Sequence, residues 1–370
     1  MKTENQNRLM SLDALRGFDM MFIMGLSGLI VAICHLIPTE FTQAIADSMG
    51  HVKWDGLHHH DTIFPLFLFL AGVSFPYSYA KQQSKGMNTK QIYLKIFRRT
   101  LMLILLGAVY NGLFKFDFAN LRIASVLARI GIAWMFAAIL YIHFGVRSRI
   151  GIALTLLIGY ALLSKYVGAP DVPGADPLSK EGCLVGYIDR CFLPGKLYSK
   201  TFDPEGLLSA VPAIVTAMLG MFSGEFIRST QFNITGSKKA LYMFVAAIIL
   251  GVIAACWNPW LPINKALWSS SFVCAVGSYS LALMALFYYI IDVRKKRSLT
   301  LFFRVIGMNS ITIYLAQKIV DFGHISDFFL SGLIALAPEN IGAIIDKAGY
   351  VMICWLFLYF LYRKNIFLKV

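Results

Sequence analysis

A histidine ten positions ahead of an aspartate, both beside the start of a long apolar run, is the pair in this chain best suited to moving a proton. The stretch reads His51-x-x-Trp54-x-Gly56-x-x-x-x-Asp61-x-x-Phe64-Pro65-x-Phe67-x-Phe69-x-x-Gly72. An imidazole changes charge near neutral pH, so with a carboxylate in reach it can act as a general base. The same spacing fits a solvated interfacial histidine with no chemistry. His58, His59 and His60 lead into Asp61 and invite a metal reading. Consecutive helical residues point about 100° apart and cannot all converge on one ion, so no metal is expected.

Charge inside an apolar run is expensive and therefore informative. Asp13 and Arg16 are three apart, the spacing of a helix-surface ion pair. Asp19 lies deeper in the same run with no local cation. Arg122 and Arg129 are seven apart, which on a helix puts them on one face two turns apart. They suit either structural pairing with Asp19 or Asp61, or contact with an anion such as a phosphate or a developing oxyanion. Further on come Asn264-Lys265-x-Leu267-Trp268-Ser269-Ser270-Ser271-Phe272 and Gly307-Met308-Asn309-Ser310. Their serines suit helix packing as well as ligand contact. Cys183 and Cys191 share one polar segment, and whether they pair stays open. The phosphate-binding, nucleophile-elbow and zinc signatures of soluble enzymes are absent from the sequence.

These residues must be positioned by membrane helices. Of 370 residues 58% are hydrophobic and only 15% charged. Soluble domains run about 45–50% apolar and 25% charged, so a soluble, disordered or coiled-coil chain is excluded. The apolar residues fall in runs of about 20, enough to cross a hydrocarbon core. The runs cover 12–37, 61–80, 92–114, 121–143, 148–167, 206–228, 238–257, 267–291, 299–319 and 344–362. An eleventh, Phe328 to Ala337, is too short to cross and reads as interfacial or re-entrant. The expectation is an all-α polytopic membrane bundle of about ten transmembrane helices plus that short one, forming a single domain over residues 1–370. Most of the 34 Lys and Arg then lie on one side, which places both termini in the cytoplasm. The net charge of +14 is explained the same way, and nucleic acid is not expected. The largest extracytoplasmic loop is 168–205.

Six motifs in order resemble the heparan-α-glucosaminide N-acetyltransferase family and its bacterial relatives. They are Arg8-Leu-x-Ser-Leu-Asp13-x-x-Arg16-Gly17, the His51 to Gly72 pattern, Asp203-Pro204-Glu205-Gly206, Asn264-Lys265-x-Leu-Trp268-Ser-x-Ser-Phe272, Gly307-Met-Asn309-Ser310 and Tyr362-Arg-Lys-Asn-Ile-Phe-x-Lys369. The resemblance implies an enzyme of the bacterial inner membrane, in a compact form without a luminal N-terminal domain. Such an enzyme carries acetyl from cytosolic acetyl-CoA to the amino group of a glucosamine on the far side, and the family suggests a homodimer. His51 matches the catalytic histidine, with Asp61 orienting its ring or holding the amine. Trp54, Ser27, Asn264, Lys265, Trp268 and Asn309 are expected at the acceptor. Arg122, Arg129, Arg98, Arg99, Lys238 and Lys239 are expected to meet the anionic donor. Two departures stand out: the family's Asn in the first span falls on Ser27, and a His after the Met-Asn-Ser motif falls on Gln317. Rival readings are an O-acyltransferase acting on a sugar hydroxyl, or a transporter without chemistry.

Overall fold

The computed structural model describes residues 9–230, 234–298 and 300–368. Arg8 and Lys369, which open and close the motif series, lie outside them. The helices in chain order are α1 Met10–Met21, α2 Ser27–Cys34, α3 Glu40–Ser48, α4 His59–Ser84, α5 Thr89–Tyr110, α6 Val126–His143, α7 Val146–Tyr166 and α8 Leu184–Phe192. Then come α9 Ala210–Arg228, α10 Gly236–Trp257, α11 Ser270–Phe287, α12 Thr300–Met308, α13 Ser310–Ile319, α14 Phe322–Leu336 and α15 Glu339–Arg363. Wider, π-helical turns join α1 to α2 over Phe22–Leu26 and extend α11 over Tyr288–Val293. The only pairing of β type among the described residues is two isolated bridges.

Eight helices are long and apolar enough to cross a membrane, or nine if α13 and α14, bent by 76°, make one crossing. Every expected run is helical, so the difference from ten lies in two of them. α5 has 22 residues, but Lys90, Lys95, Arg98 and Arg99 charge its first half. The run over 299–319 breaks at Asn309 into α12 and α13, neither long enough alone. The eleventh stretch is longer than expected, a helix beginning at Phe322.

The start of α6 is also corrected. Ser125 caps it, its hydroxyl accepting from the Ala128 amide at 3.1 Å, so Arg122 precedes the helix and does not share a face with Arg129.

The chain divides into two compact units. The first holds the described residues of Met1–Lys53, His58–Ile63 and Leu283–Lys369. Here α1 and α12 approach backbone to backbone: a Cβ on Gly17 would lie 1.7 Å from the Phe303 carbonyl oxygen, and one on Gly307 1.9 Å from that of Asp13. Small residues are what permit such approach between membrane helices. Phe18, Phe287 and Phe303 pack ring to ring beside this crossing.

The second unit holds Trp54–Leu57 and Phe64–Ala282. Its core is the buried length of α4 against α9, again through glycine: a Cβ on Gly72 would meet the Ala217 carbonyl oxygen at 2.1 Å. Leu66, Leu68, Phe69, Leu70 and Val73 are fully buried, so this stretch of α4 is apolar on every side. Cys183 and Cys191 are both free thiols at opposite ends of α8. Eight helical residues separate them by about 12 Å, beyond the reach of a disulfide.

Candidate functional site

In the first unit, a loop after α3 carries His51 back to the first turn of α4, where Asp61 waits. Asp61 caps its own helix: Oδ2 accepts from the His58 amide at 3.2 Å and the Val52 amide at 3.3 Å. A carboxylate three residues inside a helix start is favoured there by both the unsatisfied amides and the macrodipole. Its other oxygen, Oδ1, lies 2.6 Å from His51 Nδ1. The Asp61 side chain is 1% exposed and that of His51 56% exposed. The carboxylate is fixed from behind while the imidazole reaches outward. With Nδ1–H donating to the carboxylate, a base function falls to Nε2.

The three histidines ahead of Asp61 diverge, as helical geometry requires. His58 Nδ1 lies 3.2 Å from the Gly50 carbonyl oxygen, the His59 ring packs on Phe22 at 4.3 Å, and the His60 ring meets the His51 ring edge-on at 4.5 Å. In the same unit Asp13 and Arg16 form the expected ion pair at 4.0 Å. Asp19 is buried and its Oδ2 has no hydrogen-bond partner among the described residues. Asn309 stands at the α12–α13 break with Nδ2 likewise unpartnered, as is the hydroxyl of Ser27. Gln317 Nε2 donates to the Tyr350 hydroxyl at 2.9 Å and to the Ile23 carbonyl at 3.4 Å, across the π-helical turn.

The second unit holds a different constellation. Arg122 donates Nε and Nη2 to the two oxygens of Asp203 at 2.7 and 2.5 Å, and also bonds Glu205. Tyr198 covers the guanidinium at 4.9 Å. Burial works against the charge of Asp203, but Arg122 and the amides of Glu205 and Tyr198 outweigh it and hold this carboxyl below the ordinary value. Neighbouring Asp189 accepts from the amides of Leu207 and Asp203 at 2.9 and 3.1 Å. Among the described residues no cation is hydrogen-bonded to it, and burial pushes it up to about 6. Arg129 pairs with neither Asp19 nor Asp61. Its Nη2 donates to the Gly206 carbonyl at 3.0 Å and to the Ser209 hydroxyl, and its guanidinium lies 5.0 Å over Trp268. Its Nε and Nη1 have no partner among the described residues.

The remaining expected residues of this unit are mostly committed to structure. Asn264 donates to Asp55 at 3.0 Å and accepts from the Leu267 amide at 2.9 Å. Trp268 is buried with φ at +52°, and its Nε1 donates to Thr216 at 3.2 Å. Ser269 and Ser271 both donate to the Pro262 carbonyl, and Ser270 to that of Leu157, which is the packing role. Trp54 donates Nε1 to the Leu178 carbonyl at 2.9 Å, with Lys180 over its ring at 5.6 Å. Arg98 and Lys238 are exposed, while Arg99 stacks over Trp134 at 4.1 Å. Lys239 donates to the carbonyls of Ile227 and Ser229 at 2.7 and 2.5 Å and so caps the end of α9. Sequence reasoning quoted Asp203 and Glu205 as a motif without assigning them to Arg122, and missed Asp55 and Asp189.

Residues 8–156 match a family described as a domain of unknown function, DUF5009. The chain is 27% identical over 375 aligned residues to heparan-alpha-glucosaminide N-acetyltransferase of Mus musculus, and to the Homo sapiens protein of the same name. Each alignment covers 86% of this chain but 56% and 55% of those proteins, so the chain spans a little over half the length of the curated relatives it matches. The likeness agrees with the resemblance carried by the motifs. With its apolar helices, the chain is a multi-pass membrane protein distantly related to acetyltransferases.

Proposed function

We propose that this protein transfers an acetyl group from acetyl-CoA to the amino group of a glucosamine, with His51 as general base and Asp61 as the residue that orients it. The observation that carries the reading is the 2.6 Å contact between the exposed His51 ring and the buried Asp61 carboxylate. An amino sugar is largely protonated at neutral pH and attacks a thioester only as the free amine. In the step, the amine nitrogen bonds to the thioester carbonyl carbon, His51 Nε2 takes the proton that nitrogen sheds, and the carbon–sulfur bond breaks to release coenzyme A as its thiolate. Asp61 favours the tautomer with Nε2 open to accept, then balances the imidazolium that forms.

The positive-inside pattern supports ten crossings, cytoplasmic termini and an extracytoplasmic His51. The donor's anionic nucleotide suits the basic residues that the positive-inside rule assigns to the cytoplasmic face, among them the exposed Arg98 and Lys238. The acceptor is an amino sugar or an oligosaccharide that ends in one.

A panel of amino sugars and matched neutral sugars, incubated with acetyl-CoA and protein in proteoliposomes, tests this by mass. An adduct of one acetyl group on amino sugars alone, stable to mild base, is expected. A base-labile adduct on neutral sugars gives the reaction to a hydroxyl acceptor instead, and no adduct with any sugar overturns the proposal.

A further inference from the structure

The run His58-His59-His60 invites a metal reading in the sequence, but its rings diverge in the fold, and the acetyl transfer proposed above makes no use of it. All three residues stand at the start of α4, in the same unit as His51 and Asp61.

Seen from the loop that carries His51, the run has a common purpose. Residues 50–57 form neither helix nor strand, so the place of His51 is set by contacts rather than by a regular backbone. His58 Nδ1 donates to the Gly50 carbonyl at 3.2 Å, and Asp61 Oδ2 accepts from the Val52 amide at 3.3 Å. The residues on either side of His51 are thus both tied to the first turn of α4. His59 ties that turn in its own right, its ring 4.3 Å from that of Phe22 in the π-helical turn between α1 and α2. That turn is itself fastened. Gln317 donates to its Ile23 carbonyl, and the Tyr350 ring lies against Gly25, which has φ at +129° and where a Cβ would stand 2.9 Å from the ring.

His60 bears on the imidazole itself. Its ring meets the His51 ring edge-on, with centroids 4.5 Å apart and planes at 70°, the arrangement of a favourable aromatic pair. A hydrogen bond at Nδ1 fixes that nitrogen but lets a ring pivot about the bond, and the pivot decides where Nε2 points. A general base must come within about 2.6–3.2 Å of the atom whose proton it takes, and a misplacement of about 1 Å can cost about 10²-fold. The His51 side chain is 56% exposed, and water does not restrain a pivot. A ring standing on its edge does.

We propose that His60 is a positioning residue for the base: its ring limits the swing of the His51 imidazole, so that Asp61 and His60 together aim Nε2. The role belongs to the shape of the His60 ring and not to its nitrogens. Its consequence for turnover rests on the acetyl-transfer reading, whereas its consequence for the His51 ring does not.

His60→Ala removes the ring, and His60→Phe keeps a flat ring with no nitrogen to donate, accept or take a proton. His60 is part-exposed, so both variants should melt close to wild type. With acetyl-CoA and glucosamine in proteoliposomes, His60→Ala should lose about three- to tenfold in kcat, the size of one edge-to-face ring pair, with both KM values within about twofold of wild type. His60→Phe should recover kcat to within about twofold. Equal losses in the two variants overturn the proposal in favour of a proton carried by His60. A wild-type kcat in His60→Ala overturns it too, as does a loss confined to KM.

NMR of protein labelled with ¹⁵N-histidine reads the ring without substrate, at pH about 8.5, where an ordinary imidazole is neutral. The His51 signals are identified by their absence from His51→Ala. They should show the Nδ1–H tautomer in wild type and His60→Phe, and move toward the mixed tautomers of an unrestrained imidazole in His60→Ala. Unchanged His51 tautomer in His60→Ala overturns the positioning role whatever the protein acetylates. The expected change in a protein that acetylates no sugar supports the positioning role and refutes the acetyl transfer alone.

Discussion

His51–Asp61 in the first unit and Arg122–Asp203 in the second are both a basic side chain held against a fully buried carboxylate, yet they are built for opposite ends. Asp61 has one oxygen on backbone amides and the other on an imidazole that is more than half exposed. Asp203 has both oxygens on a guanidinium, which is itself mostly buried, bonded to Glu205 and covered by Tyr198. The first arrangement leaves a titratable group facing outward, whereas the second surrounds a permanent charge. A histidine so placed can exchange protons with a substrate; an arginine so placed can only hold a loop.

The contrast is sharpened most by breaking the second pair. Asp203→Asn leaves a buried guanidinium short of its counter-charge and should destabilise the protein by about 3–5 kcal/mol, read as a lowered melting temperature in detergent. A change below about 1 kcal/mol would mean that the Arg122 knot does not hold the fold. Asp61→Asn should do the reverse, melting close to wild type but losing up to about 10⁴-fold in turnover, the effect of replacing an aspartate that sets the tautomer of a catalytic histidine. A variant that unfolds while keeping its specific activity would make Asp61 structural, like Asp203.

A pH dependence separates Asp189 from Asp203 in the second unit. Asp189 is raised to about 6, above its value in an unfolded chain, so between pH 4 and 6 the folded state keeps a proton that the unfolded state loses. The stability that this proton contributes is present below that window and lost as pH rises through it. Asp203 is lowered, so its contribution is present at neutral pH and lost only below the ordinary carboxylate range. Melting temperatures of wild type should therefore fall relative to Asp189→Asn from pH 4 to 6, and a constant difference contradicts the assignment. The smallest effect is expected from Ser271→Ala. Its hydroxyl shares the Pro262 carbonyl with Ser269, so one donor remains and the loss should be about 1 kcal/mol with turnover unchanged. A large loss of turnover would place chemistry in the second unit and dissolve the contrast.

How much of this was legible in the sequence follows from the range of each interaction. Membrane-length helices are written as continuous apolar runs, and Asp61 is written as an acid at the start of one. The break at Asn309 was hidden because the polar pair Asn309-Ser310 is short and apolar residues resume on both sides, and only backbone geometry shows α12 ending there. Arg122 was misplaced because Leu121, Ile123 and Ala124 around it read as part of the same apolar run; the Ser125 cap decides the boundary. Its partners lie 81 and 83 residues away, a distance no local pattern spans. Lys239 read as a donor contact by charge alone, whereas its place beside the end of α9 gives it carbonyls to cap.

The central claim is that the His51 ring, set by Asp61, is the base of an acetyl transfer. Its most direct test is the rate of acetyl-amino-sugar formation by His51→Ala beside wild type, in the same proteoliposomes and at matched melting temperature. The account predicts active wild type and a loss of at least about 10²-fold in the variant, the low end for removing a general base. Turnover by the variant within a few-fold of wild type would contradict it.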